Sequence, residues 1–225
     1  MKAKKIFNTD SRERIQDAKM INGNPNGMID LINTPHKFAV DVYKGMKGRT
    51  WFVQQIDISK DKVNYGRLSK ANKRSYDLIL SQLITDDSIQ VNQLMDSFNR
   101  YVTSPVTNLC LSVQAMEEGL HVESYSIMAS DIAEDPERIY NLPFSDPELM
   151  RKNKAVEAMY NSVYSDDEPG DEDMLLAAGA NQLLEELVFP GGFAGMLLLE
   201  DEMPGSAGFI REINLHSLPA VKAVA

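Results

Sequence analysis

Glu118 and His121 stand three residues apart in the run Glu118-Gly119-Leu120-His121. On a helix that spacing puts a carboxylate and an imidazole one turn apart on the same face, where both can reach one metal ion. Alone, such a pair is more often two exposed side chains. Three further residues sharpen it. Asp87 falls in Leu83-Ile84-Thr85-Asp86-Asp87-Ser88-Ile89, an otherwise apolar helical stretch in which a buried carboxylate needs a partner; Asp86 is expected to face solvent. Glu185 and Glu186 lie in the most hydrophobic stretch of the chain, and one of the two is expected to point inward, paired or bound to metal. Tyr125 follows His121 by one further turn on the same face. It reads either as a core tyrosine or as a tyrosine within reach of an oxidising metal pair.

The elements that must carry these residues read as helices. Residues 1–36 are expected to be irregular, with a dense run of turn formers from Ile21 to Gly27. A helix is predicted from about Pro35 to before Gly48, then an extended or looped segment over Trp51 to Ile58. Ile79, Leu83, Ile84, Ile89, Leu94, Met95 and Phe98 give an apolar stripe at helical spacing, predicting one long helix over 69–101. Pro105 suits the first turn of the next, which runs to about Ile132. Asp135-Pro136 is read as a break. Asp146-Pro147 starts a helix through Tyr164, capped by the Asp. An acidic loop follows over 165–173. Met174 to Leu199 is an apolar helix that Pro190-Gly191-Gly192 should kink or unwind, and Pro204 opens a last turn or two. No strand alternation stands out. The fold expected is an all-α bundle of long helices, with an irregular segment over 1–68, the bundle over 69–216 and a tail over 217–225.

Composition narrows the function. The length, 225 residues, suits one domain or at most two. A net charge of −10 argues against a nucleic-acid backbone as partner, which needs clustered Lys and Arg. No apolar run approaches the roughly 18 residues a membrane span requires. The basic residues 1–5 lead into Phe7-Asn8-Thr9-Asp10 rather than an apolar core, so no signal peptide is read. The single cysteine, Cys110, cannot form an internal disulfide, fits a reducing cytoplasm, and has apolar flanks that suggest a buried, inert thiol.

Taken in order, an Asp, then Glu-x-x-His-x-x-x-Tyr, then a lone Glu, each on its own helix, resembles the small, radical-generating subunit of class I ribonucleotide reductase. The runs that carry the resemblance are 83–90 around Asp87, 117–126 around Glu118 and His121, and 184–194 around Glu185. The segment Trp51 to Asp61, the Asn-Gly-rich stretch before it, and Met203-Pro204-Gly205-Ser206-Ala207 complete it. The resemblance covers about residues 20–214. It implies a ferritin-like helical bundle, here incomplete at its C-terminus. It also implies Asp87, Glu118, His121 and Glu185 as ligands of a di-iron or manganese-containing centre, Tyr125 as the radical store, and Trp51 in the electron path. The partners it implies are a second copy of the chain and the large catalytic subunit on which ribonucleotides are reduced.

The match breaks near the end. The family's second Glu-x-x-His should follow Met-Pro-Gly-Ser-Ala, and an ungapped reading puts Ser217 and Ala220 there. A slipped reading offers Glu212 and His216. The end of the chain, Leu218 to Ala225, resembles nothing in the family, so a split or interrupted gene is expected; four ligands fall short of the about six that a metal pair takes, so the chain is expected to bind metal weakly and to form little Tyr125 radical. The alternatives are a half-protein completed by a second polypeptide, another carboxylate-bridged di-metal protein, and a helical fragment that survives as a dimerisation partner.

Overall fold

A computed structural model describes residues 1–164 and 168–224, side chains excepted at Ser162 and from His216 onward. The helices are α1 Lys37–Lys47, α2 Asp61–Arg67, α3 Lys70–Gln93, α4 Asn99–Tyr101, α5 Pro105–Ile127, α6 Pro136–Ser145, α7 Pro147–Tyr164, α8 Asp171–Leu183, α9 Phe189–Leu197 and α10 Pro204–Val224. Among the described residues no strand forms; one antiparallel bridge joins Ile21 to Val102. The expected all-α class holds, and among the described residues no helix is long and apolar enough to cross a membrane.

Local chemistry sets the helix starts. Ser69 Oγ accepts from the Asn72 amide at 3.1 Å, and Ser104 Oγ from Thr107 at 3.3 Å with Pro105 in the first turn. Asp146 Oδ1 accepts from Glu148 and Leu149 at 3.0 and 3.2 Å. Each side chain satisfies an amide that the helix cannot.

The break expected at Asp135-Pro136 holds, but an unexpected helix starts there. Asp135-Pro136 opens α6: Asp135 Oδ1 accepts from the Arg138 amide at 3.0 Å, and proline is at home in a first turn, where its missing N–H is no loss. Pro204 likewise opens a 21-residue helix, not a turn or two. The short α2 went unread, and a 3-10 turn over Val53–Gln55 occupies the segment expected to be extended or looped.

Three wide π-helical turns interrupt the long helices, at Leu94–Phe98, Met128–Ile132 and Leu184–Val188. The third is how the chain accommodates Pro190, which cannot donate to the carbonyl four residues back. It spans Glu185, and single π turns of this kind often sit at functional sites.

The main core runs through Tyr76, Leu80 and Leu83 of α3, Tyr125 of α5, Tyr160 of α7, Phe193 of α9 and Phe209 and Ile213 of α10. A smaller cluster joins Ala39, Val40 and Met46 of α1 to Val106 and Cys110 of α5. There the Cys110 thiol donates to the Ala39 carbonyl at 3.2 Å, and burial pushes it up to about 11. It is the inert thiol that its flanks suggested. Helix α9 comes close to α3 because glycines face it: a Cβ on Gly192 would lie 2.9 Å from Leu83 Cδ2, and one on Gly195 2.7 Å from Ile79 Cδ1. That approach brings the Glu185 segment beside the helix that carries Asp87.

Candidate metal centre

Asp87 from α3 and Glu118 and His121 from α5 converge inside the bundle, with one potential ligand atom from each within 4.8 Å of the others. His121 Nδ1 lies 3.0 Å from Glu118 Oε2 and 3.8 Å from Asp87 Oδ2. Two donors that each sit ~2.1 Å from one ion are themselves roughly 3 Å apart, so this spacing is that of a ligand set. All three residues are at most 3% exposed. Burial pulls His121 down to about 4, which leaves its imidazole neutral and able to ligate. Burial pushes Glu118 up to about 7. Asp87 is raised by burial and by the Glu118 and Glu185 charges, and its Oδ2 has no hydrogen-bond partner.

Of the two adjacent acids near position 185, Glu185 points inward at 7% exposure while Glu186 is exposed. Glu185 Oε1 accepts from Gln90 Nε2 at 3.0 Å and from Gln114 Nε2 at 3.2 Å. Gln90 also donates to Asn181 at 2.8 Å and accepts from the Tyr160 hydroxyl at 3.2 Å. Burial, then the Glu118 charge, lift Glu185 to about 8.

Tyr125 is fully buried, and its hydroxyl faces Asp87, a contact short of hydrogen-bond geometry. Burial and the Asp87 and Glu118 charges hold its phenol protonated. Trp51 is buried against Phe209 of α10, ring centroids 6.3 Å apart, outside the group of acids. Glu212 is half-buried on α10; His216, Ser217 and Ala220 lie outside the described side chains.

Asp86 corrects the sequence reading. It does not face solvent: it is fully buried, and Lys152 of α7 donates to both its oxygens at 2.5 and 2.6 Å. Successive helical positions point about 100° apart, so Asp87 turns toward α5 while Asp86 enters the α3–α7 contact. The sequence reading also passed over Glu117, Gln90 and Gln114. Helical phase could have found the two glutamines, since Gln90 lies three residues after Asp87 and Gln114 four before Glu118.

Clustered buried acids with no cationic side chain among them, a neutral histidine and a buried tyrosine beside them define a helical bundle suited to hold metal through carboxylates. Residues 28–215 match the family model for ribonucleotide reductase, small chain, and the chain belongs to that family. It is 33% identical over 223 residues to the ribonucleoside-diphosphate reductase subunit beta of Aquifex aeolicus, covering 96% of this chain and 31% of that protein. It is 33% identical over 214 residues to the subunit of the same name from Treponema pallidum, covering 93% of this chain and 60% of that protein. The ribonucleotide reductase R2 subunit from Clostridium botulinum superposes with a TM-score of 0.92 at 25% identity, over 100% of this chain and 70% of that one. The chain thus spans from about a third to under two thirds of the length of these two curated relatives.

Proposed function

We infer that this chain is the metal- and radical-bearing part of a ribonucleoside-diphosphate reductase small subunit. The observation that carries the reading is the convergence of Asp87, Glu118 and His121 beside Tyr125 in a member of this family. Asp87, Glu118, His121 and Glu185 hold a di-metal centre, with iron as the default and manganese as the alternative. When bound, such a centre supplies the one-electron oxidation of a tyrosine at the expense of dioxygen.

The chain's own residues do the rest. The neutral His121 would bind a cation through a ring lone pair, and the clustered carboxyls would release their protons to solvent as the cation takes their oxygens. Gln90 and Gln114 fix one oxygen of Glu185 and so orient the other. Tyr125 stores the radical: its burial excludes water, and Asp87 is the group placed to take the phenol's proton. Trp51 serves electron transfer toward the large catalytic subunit, where ribonucleotides are reduced. The partners are that subunit and a second copy of this chain, and the setting is cytoplasmic.

The test is Mn(II) binding followed by competition with a chelating dye. Asp87→Asn and His121→Ala should each abolish tight binding, whereas Glu186→Gln should leave it unchanged. Binding that survives both site variants would overturn the reading.

A further inference from the structure

Glu117 is an acid near the centre that neither the sequence pattern nor the four-ligand reading uses. It sits on α5 beside Glu118 and is 2% exposed, yet neither of its carboxylate oxygens has a hydrogen-bond partner. It is close enough to Glu118 and Glu185 for both charges to act on it. The cation that acts on it, Arg49, is exposed and forms no ion pair with it. A buried carboxylate left without donor or cation costs several kcal/mol, and a fold keeps one only where something compensates it.

Charge counting says what would. Asp86 is already paired with Lys152. That leaves four buried carboxylates around the neutral His121: Asp87, Glu117, Glu118 and Glu185. Two divalent cations would neutralise them. The first has a set in Asp87, Glu118 and His121. That leaves Glu185 and Glu117, each close enough to Glu118 for its charge to act on it, with Glu185 Oε1 already tied to Gln90 and Gln114.

We propose that Glu117 is a ligand of the second divalent cation, completing with Glu185 and the bridging Glu118 a second site beside the one made by Asp87, Glu118 and His121. This rests on the di-metal reading above and adds to it a fifth protein ligand, at a position where the sequence pattern places none. An acidic cluster by itself is no site; here the independent sign is a fully sequestered side chain with both oxygens unsatisfied.

Isothermal titration with Mn(II), with free ion counted by its paramagnetic resonance signal, separates the outcomes. The wild-type chain should bind two ions. Glu117→Gln should bind one, with the second weakened about tenfold to a hundredfold. Glu123→Gln, at an exposed position of the same helix, should bind two. With saturating Mn(II), Glu117→Gln should gain less in melting temperature than wild type does. Glu117→Asp keeps the charge and should retain two ions with the second weakened. If Glu117→Gln binds two ions with unchanged affinity, or if wild type binds only one, the role of Glu117 is refuted while the first site stands. If Asp87→Asn leaves binding intact, the di-metal reading itself fails.

Discussion

Lys152 of α7 reaches into the bundle to hold Asp86, its Nζ 2.5 Å from one carboxylate oxygen and 2.6 Å from the other. The lysine side chain is 24% exposed and the carboxylate not at all. A buried pair of this kind adds little net stability over an apolar pair, but removing one partner strands the other charge. Lys152→Met should therefore cost about 3 kcal/mol in urea unfolding, and Asp86→Leu/Lys152→Met should recover most of it. A single variant within about 0.5 kcal/mol of wild type, the range of an ordinary surface change, would show that the pair does not hold α7 to α3.

The start of α10 is fixed from outside the helix. Asp61 of α2 accepts from the Gly205 amide at 3.0 Å, the Ser206 amide at 2.6 Å and Ser206 Oγ at 2.8 Å, a negative group on otherwise orphaned amides. Gly205 can come that close only without a side chain: a Cβ there would lie 2.7 Å from the Asp57 carbonyl and 2.8 Å from Ile58 Cα. Asp61→Ala should cost about 2 kcal/mol through the buried donors it abandons. Gly205→Ala should cost about the same through a backbone clash that no rotamer relieves. Gly191→Ala, whose Cβ would meet nothing within 4 Å, should be neutral or gain about 0.5 kcal/mol by helix propensity. Chemical denaturation of the three side by side checks the order, and equal effects of the two glycine changes would refute it.

The helices that carry the candidate ligands were legible because their information is local. Glu118, His121 and Tyr125 share a face by spacing alone, and the apolar runs around Asp87 and Glu185 made an exposed acid costly at either place. Asp86 was misread because its partner is 66 residues away on another helix, and nothing local marks Lys152. Glu117 was missed for a related reason: adjacent helical positions share no face by spacing, so nothing local grouped it with Glu118, and only the packing shows that it too is buried within reach of the Glu118 and Glu185 charges. Helix α6 was lost to reading Asp135-Pro136 as a break only, where Asp135 caps a new helix; Pro204 was read as an opener, but the helix it opens is 21 residues long, not a turn or two.

Gln90 ties the centre to the bundle around it. Its amide nitrogen serves both Glu185 at 3.0 Å and Asn181 at 2.8 Å, while its oxygen takes the Tyr160 hydroxyl at 3.2 Å and the Gln93 amide at 3.1 Å. Gln90→Leu would free Glu185 Oε1 of one donor and leave Gln114 as the other. A ligand whose outer hydrogen bonds are cut samples more orientations, and metal affinity falls by about tenfold or more. The double variant Gln90→Leu/Gln114→Leu should fall further than either single change, since both donors act on one oxygen and their effects are coupled. Glu185→Gln in the same series sets the floor, because it removes the proposed ligand itself. Mn(II) affinities measured across the series decide the point: a Gln90→Leu protein that folds and binds as wild type does would show that Glu185 is held by something other than these amides.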